Sequence, residues 1–187
     1  MMLALLMNLR NILRLNYFKI LTGKALSIRS LRGKTSAVHE LAVNVKEHSG
    51  VNRVICCGQF YPQKKELHFA LADNGISIPE NISRKYSKIN KNDSQIIEWA
   101  TYEGNSTKEI PQSGLGLYSI KESLLSVGDL TIISNNGFWR RWQRKNYDNE
   151  ESYMYDMSVP LHGTFIHFSL KLDERMEPVV LTSDLLF

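Results

Sequence analysis

Cysteine is nearly absent from this 187-residue chain, which has only Cys56 and Cys57, side by side. Neighbouring residues of a strand face opposite ways, so these two do not bridge each other. A disulfide scaffold is excluded, and a reducing, cytoplasmic setting is expected. Five prolines and eleven glycines are too few for a collagen-like or low-complexity chain. No Cys/His spacing suggests zinc. The apolar run ahead of Asn8 is far short of the roughly 20 residues that a transmembrane segment needs. It is also short for a signal peptide, and no small-residue cleavage site follows cleanly. Acids are missing from residues 1–39, which carry seven bases, while the remainder carries 16 bases against 19 acids. The net charge of +4 therefore belongs to the amino-terminal fifth, which argues against a uniformly basic nucleic-acid-binding body. What is present, 43% hydrophobic and 22% charged residues, is the composition of one ordinary globular domain.

The basic arm, residues 1–33, places Leu6, Leu9 and Leu13 beside Leu5 and Ile12, a spacing that predicts an amphipathic helix. Such a helix packs on the domain or joins a second copy into a homodimer. The other reading is peripheral contact of residues 1–24 with an anionic membrane surface.

Beyond the arm, residues 34–49 predict a helix stopped by Gly50. Residues 51–61 and 66–72 predict two strands joined at residues 62–65. A polar connection over 75–113 holds one helix, at 93–103, and its length suggests a functional loop. Residues 117–127 predict a helix closed by Gly128. Residues 130–134, 138–142 and 164–172 predict strands, the first two joined by an Asn135-Asn136-Gly137 hairpin turn. The order implies α+β architecture, a two-layer sandwich with helices on one face of a mixed, mostly antiparallel sheet.

Three motifs carry chemistry. Glu40, Asn44 and His48 recur every fourth residue and line one helical face. An amide oxygen there suits Mg²⁺, which prefers hard oxygen ligands, and a carboxylate one turn away can take a proton from a nucleophile. Asp73-Asn74-Gly75-Ile76-Ser77-Ile78-Pro79 follows an apolar strand directly. It puts a carboxylate at a strand end, where it can receive an amino group while the chain turns away. Ser113-Gly114-Leu115-Gly116-Leu117 runs into a helix and offers backbone N–H groups to an anion. It is neither a Walker loop nor a Rossmann turn. Each motif alone also suits a solvated helix face, an ordinary turn or a close-packed glycine.

Together, in this order, and with Gly163-Thr164 opening the last strand, the motifs resemble the GHKL superfamily. These are the gyrase B-, MutL- and histidine-kinase-type ATP-binding domains of Bergerat fold. The resemblance covers residues 34–172, with residues 173–187 as a tail. It implies Mg²⁺ and ATP as ligands, with Glu40 as general base and Asn44 as the Mg²⁺ ligand. It implies that Asp73 holds the adenine amino group, assisted by Thr164. Gly114, Leu115, Gly116 and Leu117 then cover the phosphates beneath a lid at 80–113. Gly75, Ile78, His48 and Lys108 complete the implied nucleotide contacts. The Glu-x3-Asn-x3-His pattern looks most like the anti-sigma-factor serine kinases. Only 39 residues precede Glu40 and no transducer domain follows, so neither histidine autophosphorylation nor a complete gyrase or MutL machine is expected.

Three activities fit the resemblance. The first is slow ATP hydrolysis in which lid closure regulates a partner protein. The second is phosphorylation of a partner serine or threonine. The third is a non-catalytic nucleotide-binding interaction module, suggested by Ser77 and Gln112, which stand where the family has glycines. Arg140, Arg141, Arg144 and Lys145 interleave with Trp139 and Trp142, a pattern that suits nucleic acid. The acids that follow favour a solvated hairpin or a protein contact instead.

Overall fold

The computed structural model describes residues 2–8, 25–26, 44, 49–51, 53–105, 116–124, 128–143, 150–171 and 178–179. Its strands are β1 (Met2–Asn8), β2 (Ala25–Leu26), β3 (Arg53–Tyr61), β4 (Glu66–Asp73), β5 (Gly128–Gln143), β6 (Glu150–Lys171) and β7 (Pro178–Val179). The complete helices among the described residues are α1 (Ile78–Lys85), α2 (Asp93–Ala100) and α3 (Gly116–Ser123). Five strands form one sheet in the order β1-β3-β4-β6-β5, and every described pairing in it is antiparallel. Strands β2 and β7 pair separately.

Period-two alternation sorts the sheet into two faces. Leu67, Phe69 and Leu71 of β4 are buried, while His68 and Ala70 face the other way. The buried row continues through Val54 and Cys56 of β3, Ile166, Phe168 and Leu170 of β6, and Leu130 and Ile132 of β5. Against it pack Ile97 of α2, Ile120 of α3 and Leu124 just beyond. The helices thus cover one face, as the α+β expectation required.

Four expectations change. Residues 2–8 are not helical: β1 pairs with β3 from Met2–Gln59 to Asn8–Arg53. Seven residues are too few for a stable isolated helix, and the open edge of β3 offers a full ladder of backbone partners. The rest of the expected arm helix lies outside the described residues. Of the expected 34–49 helix, Asn44 is helical, and Gly50 takes φ +71°, a conformation suited to a helix stop.

The connection at 75–113 holds α1 as well as α2. Ser77 caps α1, its Oγ accepting the Glu80 N–H at 3.2 Å, and Pro79 sits in the first turn. This Ser-x-x-Glu signal before an apolar position was legible. Asn92 and Gln95 form the reciprocal cap of α2. Both helices are packed, with Ile82, Ile96 and Ala100 forming a second apolar cluster.

Asn135-Asn136-Gly137 is a bulge within β5 and not a hairpin turn. A type I′ turn needs positive φ at both central residues. Asn135 alone has it, at +51°, and Gly137 does not. β5 runs on through this point and pairs with β6 on both sides of it, the register slipping from Ser134–Thr164 to Asn135–Leu161 and Gly137–Asp156. The bulge is tied down by α2. Asp93 Oδ2 accepts from Asn135 Nδ2 at 2.8 Å and from the Asn136 N–H at 3.1 Å. Asp156 accepts the Ser94 N–H at 2.9 Å, placing a negative charge at the start of α2, where the helix dipole favours it.

Beyond the bulge the ribbon doubles back. An eleven-residue extended span covers about 36 Å, yet Arg140 Nη2 reaches Asp129 Oδ2 at 3.2 Å. Trp139 and Arg141 turn inward and are buried, and Arg141 Nη1 donates to the Lys121 carbonyl in the last turn of α3 at 2.8 Å. The basic-aromatic pattern is therefore split between two faces. Only Arg140, lying over the Trp142 ring, keeps the outward arrangement, and residues 144–145 lie outside the described set.

Trp139→Ala should cost about 3–5 kcal/mol, the range for truncating a buried aromatic. Urea denaturation checks this; a loss below about 1 kcal/mol would mean that the ribbon does not fold onto the core.

Candidate functional site

The helix-facing side of the sheet ends in a row of polar groups. Asp73 closes β4, with Thr164 of β6 opposite it and Ser134 of β5 opposite Thr164. All three continue the buried parity of their strands, and all are buried. Burying polar groups requires partners, and the partners here are specific. Ser134 Oγ lies 3.0 Å from the Gly163 carbonyl, 2.8 Å from Thr164 Oγ1 and 2.9 Å from the Ile78 N. A carbonyl only accepts, so the single Ser134 proton goes to Gly163. Ser134 then accepts from the Ile78 N–H and from the Thr164 hydroxyl. That leaves the Thr164 oxygen with accepting capacity beside the Asp73 carboxylate.

The chain reaches this geometry through two glycines. A Cβ on Gly163, whose φ is +90°, would lie 2.1 Å from the Asp73 carbonyl oxygen. One on Gly75 would lie 2.2 Å from the Ser49 carbonyl oxygen. Only glycine permits either approach. The Asp73 turn is thus seated on Ser49, whose carbonyl also accepts the Ile76 N–H at 2.8 Å. In the expected 34–49 helix, Ser49 is the last residue and Asn44 lies five residues before it.

Asp73 Oδ1 accepts the Gly75 N–H at 2.8 Å. Burial pushes the Asp73 carboxyl above its ordinary value, and backbone N–H donors from Gly75 and Thr164 oppose that rise. A carboxylate offers about four lone-pair positions, so acceptor capacity remains for a further donor.

Four of the residues singled out by sequence therefore meet: Asp73, Gly75, Ile78 and Thr164. Ile78 joins through its backbone N–H and also packs with Leu117 against both apolar clusters. Gly116 opens α3. Asn44 is helical and half-buried. Glu40, His48, Lys108, Gly114 and Leu115 lie outside the described residues. Ser134 was not singled out, because a serine in an apolar strand shows its role only once register sets it beside Thr164. Among the described residues no three His, Cys, Asp or Glu gather as metal ligands. No described helix is long and apolar enough to cross a membrane.

No protein-family model matches the chain, and no curated protein matches it.

The raised Asp73 carboxyl has a consequence for stability. A folded-state pKa above the unfolded one means that the folded chain holds a proton the unfolded chain has released. Stability then falls as pH rises from the ordinary carboxylate value of 3.8 through the raised one. Wild type should lose stability relative to Asp73→Asn across that window in urea titrations at stepped pH; parallel profiles would contradict the burial cost.

Proposed function

We propose that this chain is a GHKL-type ATP-binding module of Bergerat fold that binds Mg²⁺-ATP, hydrolyses it slowly and signals its state to a partner protein. The observation that carries the reading is the buried pair of acceptors, Asp73 and Thr164, at one sheet end beside a glycine turn. An exocyclic amino group carries two donors and suits two acceptors; a ring carbonyl in its place suits neither. That chemistry favours adenine over guanine, because a site built for a hydrogen bond rejects the analogue that leaves its groups unpaired.

In this reading Asn44 contributes a hard amide oxygen, fitting Mg²⁺ held mainly by phosphate oxygens and water. A bound Mg²⁺ would supply charge neutralisation for phosphoryl transfer, and Asn44 would hold it. Glu40, one turn before Asn44 in the expected helix, takes a proton from the attacking water. The Gly114–Leu117 turn lies over the phosphates, where backbone N–H groups favour anions. Within the expected lid 80–113, α1 and α2 are anchored by buried Ile82, Ile96 and Ile97. Ser77, a departure from the family glycine, caps α1 and so serves the fold without opposing nucleotide binding.

Two variants test the assignment. Glu40→Ala should lower phosphate release by about 10²–10⁴-fold, the usual contribution of a general base, with nucleotide affinity largely kept. Asp73→Asn should erase much of the preference for ATP over GTP in a competition assay. Full turnover in the first variant, or an unchanged preference in the second, would refute the roles. Label moving from γ-labelled ATP onto a co-purified protein, in place of free phosphate, would assign Glu40 to a partner hydroxyl.

A further inference from the structure

The sheet face away from the helices carries a second cluster that the nucleotide reading does not use. On β4 and β6 it is built from residues alternating with the buried core row. Register sets His68 opposite Ser169 and Ala70 opposite His167, so the two histidines are diagonal neighbours on adjacent strands. Their rings meet, with His68 Nδ1 3.3 Å from His167 Nε2. Glu66 Oε2 lies 3.6 Å from the other nitrogen of His68, and Tyr61 packs edge-on against the same ring. The His68 side chain is about one-third exposed, at 34%, so an ion can reach the pair from solvent.

We propose that His68 Nδ1 and His167 Nε2 form a chelating site for a divalent transition-metal ion of the zinc class, with water filling the other positions. The geometry carries this. Two nitrogens 3.3 Å apart, each about 2.05 Å from one ion, subtend about 107° there, close to the tetrahedral angle zinc adopts. The Glu66 carboxylate favours a proton on His68 Nε2, leaving the Nδ1 lone pair as donor, the usual role of a carboxylate behind a ligating imidazole. With that tautomer, His167 Nε2–H donates to His68 Nδ1 in the metal-free pair, whose nitrogens lie 3.3 Å apart. On chelation that proton moves through solvent to His167 Nδ1, and no net proton is released. Burial keeps the His167 imidazole below its ordinary pKa, with His68 and Arg140 adding to the depression and Asp129 opposing it. The charged groups around the pair are Glu66 of β4, Asp129 and Arg140 of β5 and Lys171 of β6. A bound ion joins β4 and β6, the strands that also bear Asp73 and Thr164, but the site does not depend on nucleotide binding.

The test is calorimetric titration of the full, reduced chain with Zn²⁺ in the absence of nucleotide. Saturable binding of one ion is expected, with a matching rise in melting temperature. His68→Gln and His167→Gln should each weaken it by about tenfold or more. Glu66→Gln should weaken it less, within the roughly 10–100-fold span of ligand-supporting carboxylates, and Cys57→Ser should leave it unchanged. No saturable binding, or wild-type affinity in the double histidine variant, overturns the proposal. Should the variants fail to fold, imidazole nitrogen resonances of the wild-type chain decide. Zinc-induced shifts at His68 Nδ1 and His167 Nε2 support the site, and shifts confined to His39, His48 or His162 overturn it.

Discussion

A carboxylate kept away from water at the end of a strand is costly unless donors surround it, and Asp73 organises its neighbourhood accordingly. Its turn folds back so that the Gly75 N–H satisfies one oxygen. Its cross-strand neighbour is Thr164, preceded by Gly163 in the left-handed region because no side chain fits against the Asp73 carbonyl. Ser134 ties Thr164, Gly163 and the start of α1 into one hydrogen-bonded unit. The cost of the buried charge is only partly offset by these donors, which is why the group stays raised. Perturbed groups of this kind are functional-site candidates on physical grounds.

The long β5–β6 ribbon supplies the other half of the architecture. Its bulge is held by Asp93 and Asp156 at the start of α2, and Arg141 reaches a carbonyl at the far end of α3. Buried Trp139 joins it to the sheet core. The ribbon therefore braces two helices at once, and α3 begins at Gly116, the second glycine of the turn assigned to phosphate.

Much of this was legible in the sequence wherever the local signal and the tertiary demand agreed. The β4 alternation, the Asp73-Asn74-Gly75 turn and the α2 start at Asp93 all had local causes and kept them. The failures have physical reasons. Asn135-Asn136-Gly137 carries the composition of a tight turn, yet hydrogen bonds from α2 and a continuous partner strand impose a bulge. Residues 2–8 have helical spacing, but an open sheet edge outcompetes a one-face helix of seven residues. Ser134 and the His68–His167 pair were invisible, because both arise from register between strands far apart in the chain. Ser77 looked like a lost glycine until its cap on α1 was seen.

The central claim is that the Asp73 end of the sheet receives an adenine nucleotide carrying magnesium. Calorimetric titration of the intact chain with a non-hydrolysable ATP analogue and Mg²⁺ tests it most directly. The account predicts saturable one-to-one binding that the corresponding guanine analogue does not reproduce; no binding heat with the adenine analogue, or equal affinity for both, would contradict it.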